Sequence, residues 1–379
     1  MLRKGTFILM KTKIQDMTSG SPGRLIILFA IPLMLGNICQ QLYTMVDTMV
    51  VGQVAGVEAL AALGAVDFLM WVVTGISTGL TQGFSIQLSQ YYGAKDFENL
   101  RKSLAHSYRL TAFIAAGVLI LSQSFASLVL TGLHTPSNII GMSLLYLRII
   151  FCGIPATAAY NMFASALRAM GNSKTPLTAM IIASVLNVSL DILFVAGFGW
   201  GVAGAAIATV IAQSFSAVYC FLILRRIDIV HLTRADFMPA SGMNARLMKL
   251  GIPVVFQNII IGVGGLVVQY VINGYGFLFV AGFTATNKLY GLLEMAAISY
   301  GYAIVTYVGQ NLGAGKIDRI RQGVRSSMLL SLLTSLIISA AMFLLCWEFE
   351  KKKDLLVHQT MLRTVVSKGN CTVTITEYI

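Results

Sequence analysis

Charge is scarce in this chain. Only 11% of its 379 residues are Asp, Glu, Lys or Arg, less than half the share of an ordinary soluble domain, about 25%. That shortage excludes a cytosolic globular enzyme, which needs a solvated surface, and a disordered protein, which depends on charge. Cysteine is sparse too. Cys39, Cys152, Cys220, Cys346 and Cys371 form no CxxC pair, and most sit inside apolar runs, where the thiol acts as a small hydrophobe; neither a disulfide nor a metal site is expected. There is no HExxH, no aspartate-rich pyrophosphate motif and no Ser/His or Cys/His constellation in the apolar runs, so an intramembrane enzyme finds no support. The lack of a GxxxxGK[ST] loop excludes an ATP-driven pump. Residues 1–23 are basic but lack the apolar core and cleavage site of a signal peptide, so the first apolar run should remain as an anchor.

What remains is apolar. Hydrophobic residues make up 56% of the chain, glycine contributes 35 positions, and the mean hydropathy is +0.78. The apolar runs continue for about 20 residues without the alternation of a β-barrel strand. An all-α polytopic membrane protein follows. Breaks at Gly, Pro and charge predict nine spans, at roughly 25–51, 58–91, 103–131, 139–168, 176–197, 202–224, 247–273, 278–312 and 326–347. The excess of 27 Lys and Arg over 15 Asp and Glu invites a nucleic-acid partner, but the cations do not form one basic face. They fall in alternate loops. Lys4, Lys11, Lys13 and Arg24 precede the first span; Lys95, Arg101 and Lys102 follow the second; Arg168 and Lys174 follow the fourth. Arg225, Arg226, Arg234, Arg246 and Lys249 follow the sixth, and Lys316, Arg319, Arg321 and Arg325 the eighth. The loops near 52–57, 132–138, 198–201 and 274–277 hold no Lys or Arg. The positive-inside rule then places the N-terminus in the cytoplasm.

The chain also repeats itself. IPLMLGN at 31–37 returns as IPVVFQN at 252–258, 221 positions on, and QYYGA at 90–94 returns as QNLGA at 310–314, offset by 220. Glu98 and Arg101 behind the first loop match Asp318 and Arg321 behind the second. Six spans separate the copies, so both enter the membrane in the same direction, as parallel repeats about an axis along the membrane normal. The expected layout is a cytoplasmic leader (1–24), an N-lobe of six helices (25–226), a cytoplasmic linker (227–246), a partial C-lobe of three helices (247–347) and a polar tail (348–379) foreign to the fold. Three helices of the second copy are missing, which reads as truncation after the ninth.

The segments QLYTMVDT (41–48), ALRAMGNSKTP (166–176), LNVSLDILF (186–194) and GWGVAGAAIAT (199–209) resemble the multidrug and toxic compound extrusion (MATE) family over about residues 24–345. The resemblance implies a polyspecific antiporter with two six-helix lobes around a central cavity. It would export mostly cationic or amphipathic drugs or toxic metabolites across the plasma membrane (a bacterial inner membrane), coupled to H⁺ or Na⁺. It would act as a monomer in the bilayer, with no cofactor and no nucleic acid. Two alternatives stand beside it: a flippase for lipid-linked oligosaccharide from the same superfamily, and a non-functional fragment.

Ionisable groups inside apolar spans are costly and therefore functional candidates. At 1.5 Å per residue, Asp47 stands roughly 35 Å above Arg24, Asp191 about 26 Å above Lys174 and Thr209 about 24 Å above Arg225. Three helices thus bring polar groups to one outer-half layer, and Asn187, four residues before Asp191, shares its face. Oxygen donors of this kind suit a hard cation, and the resemblance matches Asp47, Asn187, Asp191 and Thr209 to the N-lobe cation site of part of the family. Asn187, Thr209 and even Asp191 could instead be interhelical hydrogen-bonding glue. No metal beyond such a Na⁺ is expected. The stretch FQNIIIG at 256–262 lacks the acid that some members carry there. Gln41, Tyr43, Asp67, Lys288 and Glu294 are candidates for a substrate cavity or gate, and Arg148 is expected to pair or snorkel inside the bundle. Pro32, Pro155 and Pro253 are hinge candidates, since proline bends or breaks a helix.

Overall fold

The computed structural model describes residues 14–367, apart from the side chains at 285, 288–290, 292–293, 345–346 and 349–367. Every regular element among these residues is helical: α1 (Pro22–Val54), α2 (Val57–Gly93), α3 (Phe97–Gly132), α4 (Ile140–Cys152), α5 (Ile154–Ala169), α6 (Lys174–Asp191), α7 (Gly201–Leu224), α8 (Met243–Asn273), α9 (Phe277–Gly313) and α10 (Ile317–Ser367). The chain divides into two units, 1–330 and 331–379. The described part of the second, 331–367, is the C-terminal stretch of α10, which stays helical through the polar residues after Trp347.

Among the described residues seven helices are long and apolar enough to cross a membrane, and α4 with α5, bent by 48°, is an eighth if the pair is one span; α9, over the predicted span 278–312, is not among them. The bend has a local cause. Gly153 ends α4, and Pro155 lies in the first turn of α5, where its missing N–H costs nothing and its fixed φ starts a new helix. Pro32 and Pro253 behave differently, because α1 and α8 run on through them. One break was not legible beforehand: directly after Asp191 the helix widens into a π turn, Ile192–Gly197.

The repeat is visible in the backbone. Gly56 (φ 94°) caps α2 and Gly276 (φ 86°), 220 residues on, caps α9 in the same left-handed conformation. The pair Lys95 (φ 59°) and Gly315 (φ 72°) closes the far ends of those two helices in matching turns. Asp96 then starts α3 by accepting the Asn99 amide N–H at 3.1 Å. Helices α2 and α9 meet through their own counterparts: Gly93 abuts Gln310, and Gly313 abuts Gln90. Such reciprocal contact is what a two-fold axis between the helices requires.

Helix α2 is the centre of unit 1. Half of its most apolar stretch is buried, against 11% in α8. Glycines let its neighbours approach to backbone distance: Gly83 lies on Gly251 of α8, and a β-carbon at Gly79 would stand 2.9 Å from the Val255 backbone. The repeated asparagines lock these crossings. Asn258 Nδ2 donates to the Gly75 carbonyl at 2.9 Å, joining α8 to α2, and its counterpart Asn37 donates to Ser299 Oγ at 3.0 Å, joining α1 to α9. Each bond links one repeat to the other.

Candidate functional site

Four helices carry polar groups into one buried layer of unit 1. Helix α1 supplies Tyr43 and Asp47, one helical turn apart and both buried. Helix α6 ends on Asn187 and Asp191, both with no exposed surface. Helix α7 supplies Thr209 and Gln213, and α4 supplies the buried Tyr146. Asn187 Nδ2 donates to Thr209 Oγ1 at 3.4 Å, and Gln213 Nε2 donates to Tyr43 Oη at 3.3 Å. The charges of Asp47 and Asp191 act on each other, and both act on Tyr43 and Tyr146.

This layer is rich in acceptors and short of donors. Asn187 spends its amide N–H on Thr209, which leaves Asn187 Oδ1 without a hydrogen bond. Both Asp191 carboxylate oxygens and Gln213 Oε1 are buried in the same condition. An unsatisfied buried acceptor costs about 1–3 kcal/mol, more when charged. The π turn begins where the orphaned carboxylate sits, and such widened turns concentrate at functional sites.

Comparison with known proteins bears on the same elements. The MatE family model matches residues 32–193 and 253–349, so each matched block opens on one of the repeated prolines, Pro32 and Pro253. The chain belongs to the MatE family. It is 32% identical over 308 residues to the probable multidrug resistance protein YpnP of Bacillus subtilis, covering 81% of this chain and 69% of that one. It is 29% identical over 319 residues to the probable multidrug resistance protein YoeA of the same organism, covering 82% and 69%. Among solved structures, the outward-facing conformation of a multidrug resistance MATE family transporter of the MOP superfamily superposes with a TM-score of 0.79 at 23% identity, covering 87% of this chain and 73% of that one. As a MatE member this multi-pass chain is a membrane transporter and not an enzyme.

The remaining positions singled out in this MatE chain do not all join the layer. Asp67 reaches it from α2, half-buried, with its charge acting on Tyr146. Gln41, half-buried on α1, lies against Gly291 of α9. Glu294 is an exposed side chain on α9, and the Lys288 side chain falls outside the described residues. Arg148 departs from expectation: it is exposed, and its backbone carbonyl accepts from Gln123 Nε2 at 2.8 Å. Tyr146 and Gln213 join the layer without being among the sequence candidates. Gln213 carried the usable signal, being an amide inside an apolar span, whereas a tyrosine in such a span is too common to stand out.

Proposed function

We propose that this transporter exports structurally diverse, mostly cationic or amphipathic drugs or toxic metabolites across the plasma membrane in exchange for H⁺ or Na⁺. The ion is taken up at Asp47, Asn187, Asp191 and Thr209. One observation carries this reading: the buried oxygens of Asp191 and Asn187 lack donors beside a second carboxylate. A proton would supply a donor, and Na⁺ would supply a ligand-hungry charge that oxygen-only groups satisfy. Loading from outside and release inside, with drug moving the other way, would then be alternatives at the same acceptors. Two carboxylates this close share their protons as a pair. The names of the relatives, two probable multidrug resistance proteins, support the substrate class. Cells expressing the chain should extrude ethidium, and collapsing the H⁺ and Na⁺ gradients together should stop extrusion. Extrusion that persists after both gradients are gone refutes coupling.

We further propose that the N-terminus is cytoplasmic, as the segregation of Lys and Arg between alternate loops supports. A single cysteine at Arg234→Cys, in a chain lacking its other cysteines, should react with an impermeant thiol reagent only after the cells are opened. Cysteines at Gly56, Gly199 or Gly274 should react in intact cells, whereas Thr135 of the remaining loop is buried. External labelling at position 234 would invert the topology.

A further inference from the structure

The leader does more than precede α1. Asp16 folds it into a turn, its Oδ1 accepting from the Thr18 N–H and Thr18 Oγ1, each at 2.8 Å. Gln15 N–H donates to the Gly171 carbonyl, in the loop between α5 and α6, at 3.1 Å. Met17 is fully buried. Its N–H donates to Gln310 Oε1 at 3.0 Å, and its carbonyl accepts from Asn311 Nδ2 at 2.9 Å. Lys316 Nζ donates to the Thr18 carbonyl at 2.8 Å. Gln310 is the knot: its Nε2 donates to the Ala169 carbonyl of α5 at 2.9 Å, so one side chain binds leader, α5 and α9 together. The Arg168 guanidinium lies 4.5 Å over the Tyr302 ring beside it.

The linker before α8 is fastened in the same manner to α3. His106 is buried and bridges Asn244 Oδ1, 2.7 Å from Nδ1, and the Met238 carbonyl, 3.1 Å from Nε2. Arg109 donates to the Phe237 carbonyl at 3.1 Å, and Arg101 stands 3.7 Å from Asp236. The two strapped segments correspond through the repeat, although their anchors Gln310, on α9, and His106, on α3, are not counterparts. Met238 follows Met17 by 221 residues, and Gly23 faces Ser326 where their counterparts, Asn244 and His106, face each other. Each segment crosses over. The leader, continuous with the first repeat, lies on α9 and α10 of the second, while the linker, continuous with the second, lies on α3 of the first.

We propose that leader residues 15–18 and linker residues 236–244 are a two-fold-related pair of straps that close the cytoplasmic face, and that they release when that face opens. The contacts suit this role. Most are single hydrogen bonds onto backbone groups, each exchangeable for water at small net cost; the buried Met17 side chain is the exception. The glycine-tight contact of α2 with α8, by contrast, has no solvated substitute. Gln310 and His106 anchor the straps and act through position alone.

Hydrogen–deuterium exchange of the full chain in detergent micelles, wild type against Gln310→Ala, His106→Ala and Gln15→Pro, tests the pair. Gln15→Pro deletes one strap donor and leaves the fully buried Met17 side chain in place. Each variant should speed exchange at 85–93 and 305–313 about tenfold, the effect of losing one or two such bonds to a local opening, and leave 187–213 unchanged. Gln310→Glu, which keeps the acceptor for Met17 but loses the donor to Ala169, should fall between. Unaltered exchange at 85–93 and 305–313 in Gln15→Pro overturns the proposal. So does a rise that spreads equally through 187–213, because it would mark general loosening. The measurement needs no substrate or coupling ion, so its outcome stands apart from that of the antiport reading.

Discussion

Asp47→Asn should reduce ion-coupled export by about a hundredfold or more, the scale of losing one charged ligand of roughly 3 kcal/mol. The substitution keeps the size of the side chain and much of its hydrogen bonding. What it removes is the charge and the ability to exchange a proton. Asp47 is 4% exposed on α1, and its charge reaches Asp191. Asparagine there leaves Asp191 and the orphaned Asn187 oxygen without the second carboxylate that would help hold Na⁺ or share a proton. Asp191→Asn should do the same. Dye binding should persist in part in both variants, since on the proposed reading the substituted groups would serve the ion rather than the dye. The measurement is ethidium efflux at matched membrane expression, run across pH and Na⁺ concentration. A wild-type rate with wild-type ion dependence in Asp47→Asn would sink the proposed role of this carboxylate.

Gly83→Leu is expected to prevent recovery of folded protein. A β-carbon at Gly83 falls on the Gly251 backbone of α8, and backbone cannot turn aside as a side chain can. Added core volume costs about 1–3 kcal/mol when neighbours can give; here α8 would have to leave α2, taking the Asn258 bond to Gly75 with it. The cost should therefore exceed about 3 kcal/mol, a large part of the net stability of a typical domain. Gly117→Leu is the control. Nothing lies within 4 Å of a β-carbon at Gly117 on α3, so that variant should match the wild type in monodisperse yield and melting temperature. Equal behaviour of the two variants would show that the α2–α8 contact is not a fixed element of the fold.

The two variants differ in how far they could have been foreseen. Asp47 announces itself by being a carboxylate in an apolar span, and the physical cost of burying charge makes that visible in one dimension. Gly83 is one of 35 glycines, and nothing local separates it from Gly117. The same contrast runs through the candidate site. Asp47, Asp191 and Thr209 could be set in the outer half of the bilayer by counting residues from the nearest cation, because helix rise is constant. That Asn187 spends its donor on Thr209, leaving oxygens bare beside Asp191, depends on side-chain directions that counting does not supply.

By itself the order of residues determined the class of molecule, most of the apolar helices, the alternation of basic loops and the repeated segments. Each of these rests on a property summed along a helix or compared at a fixed offset of 220 or 221 positions. Apolar length decides whether a helix can lie in a bilayer wherever its neighbours are. Only the tertiary structure decided that of the three hinge prolines Pro155 alone marks a bent span, that a π turn follows Asp191 and that Tyr146 and Gln213 join the acidic layer. It alone brought Met17 onto Gln310, 293 residues away. Hydrogen bonds are short and directional, so which donor meets which acceptor is settled by packing, after the helices have formed.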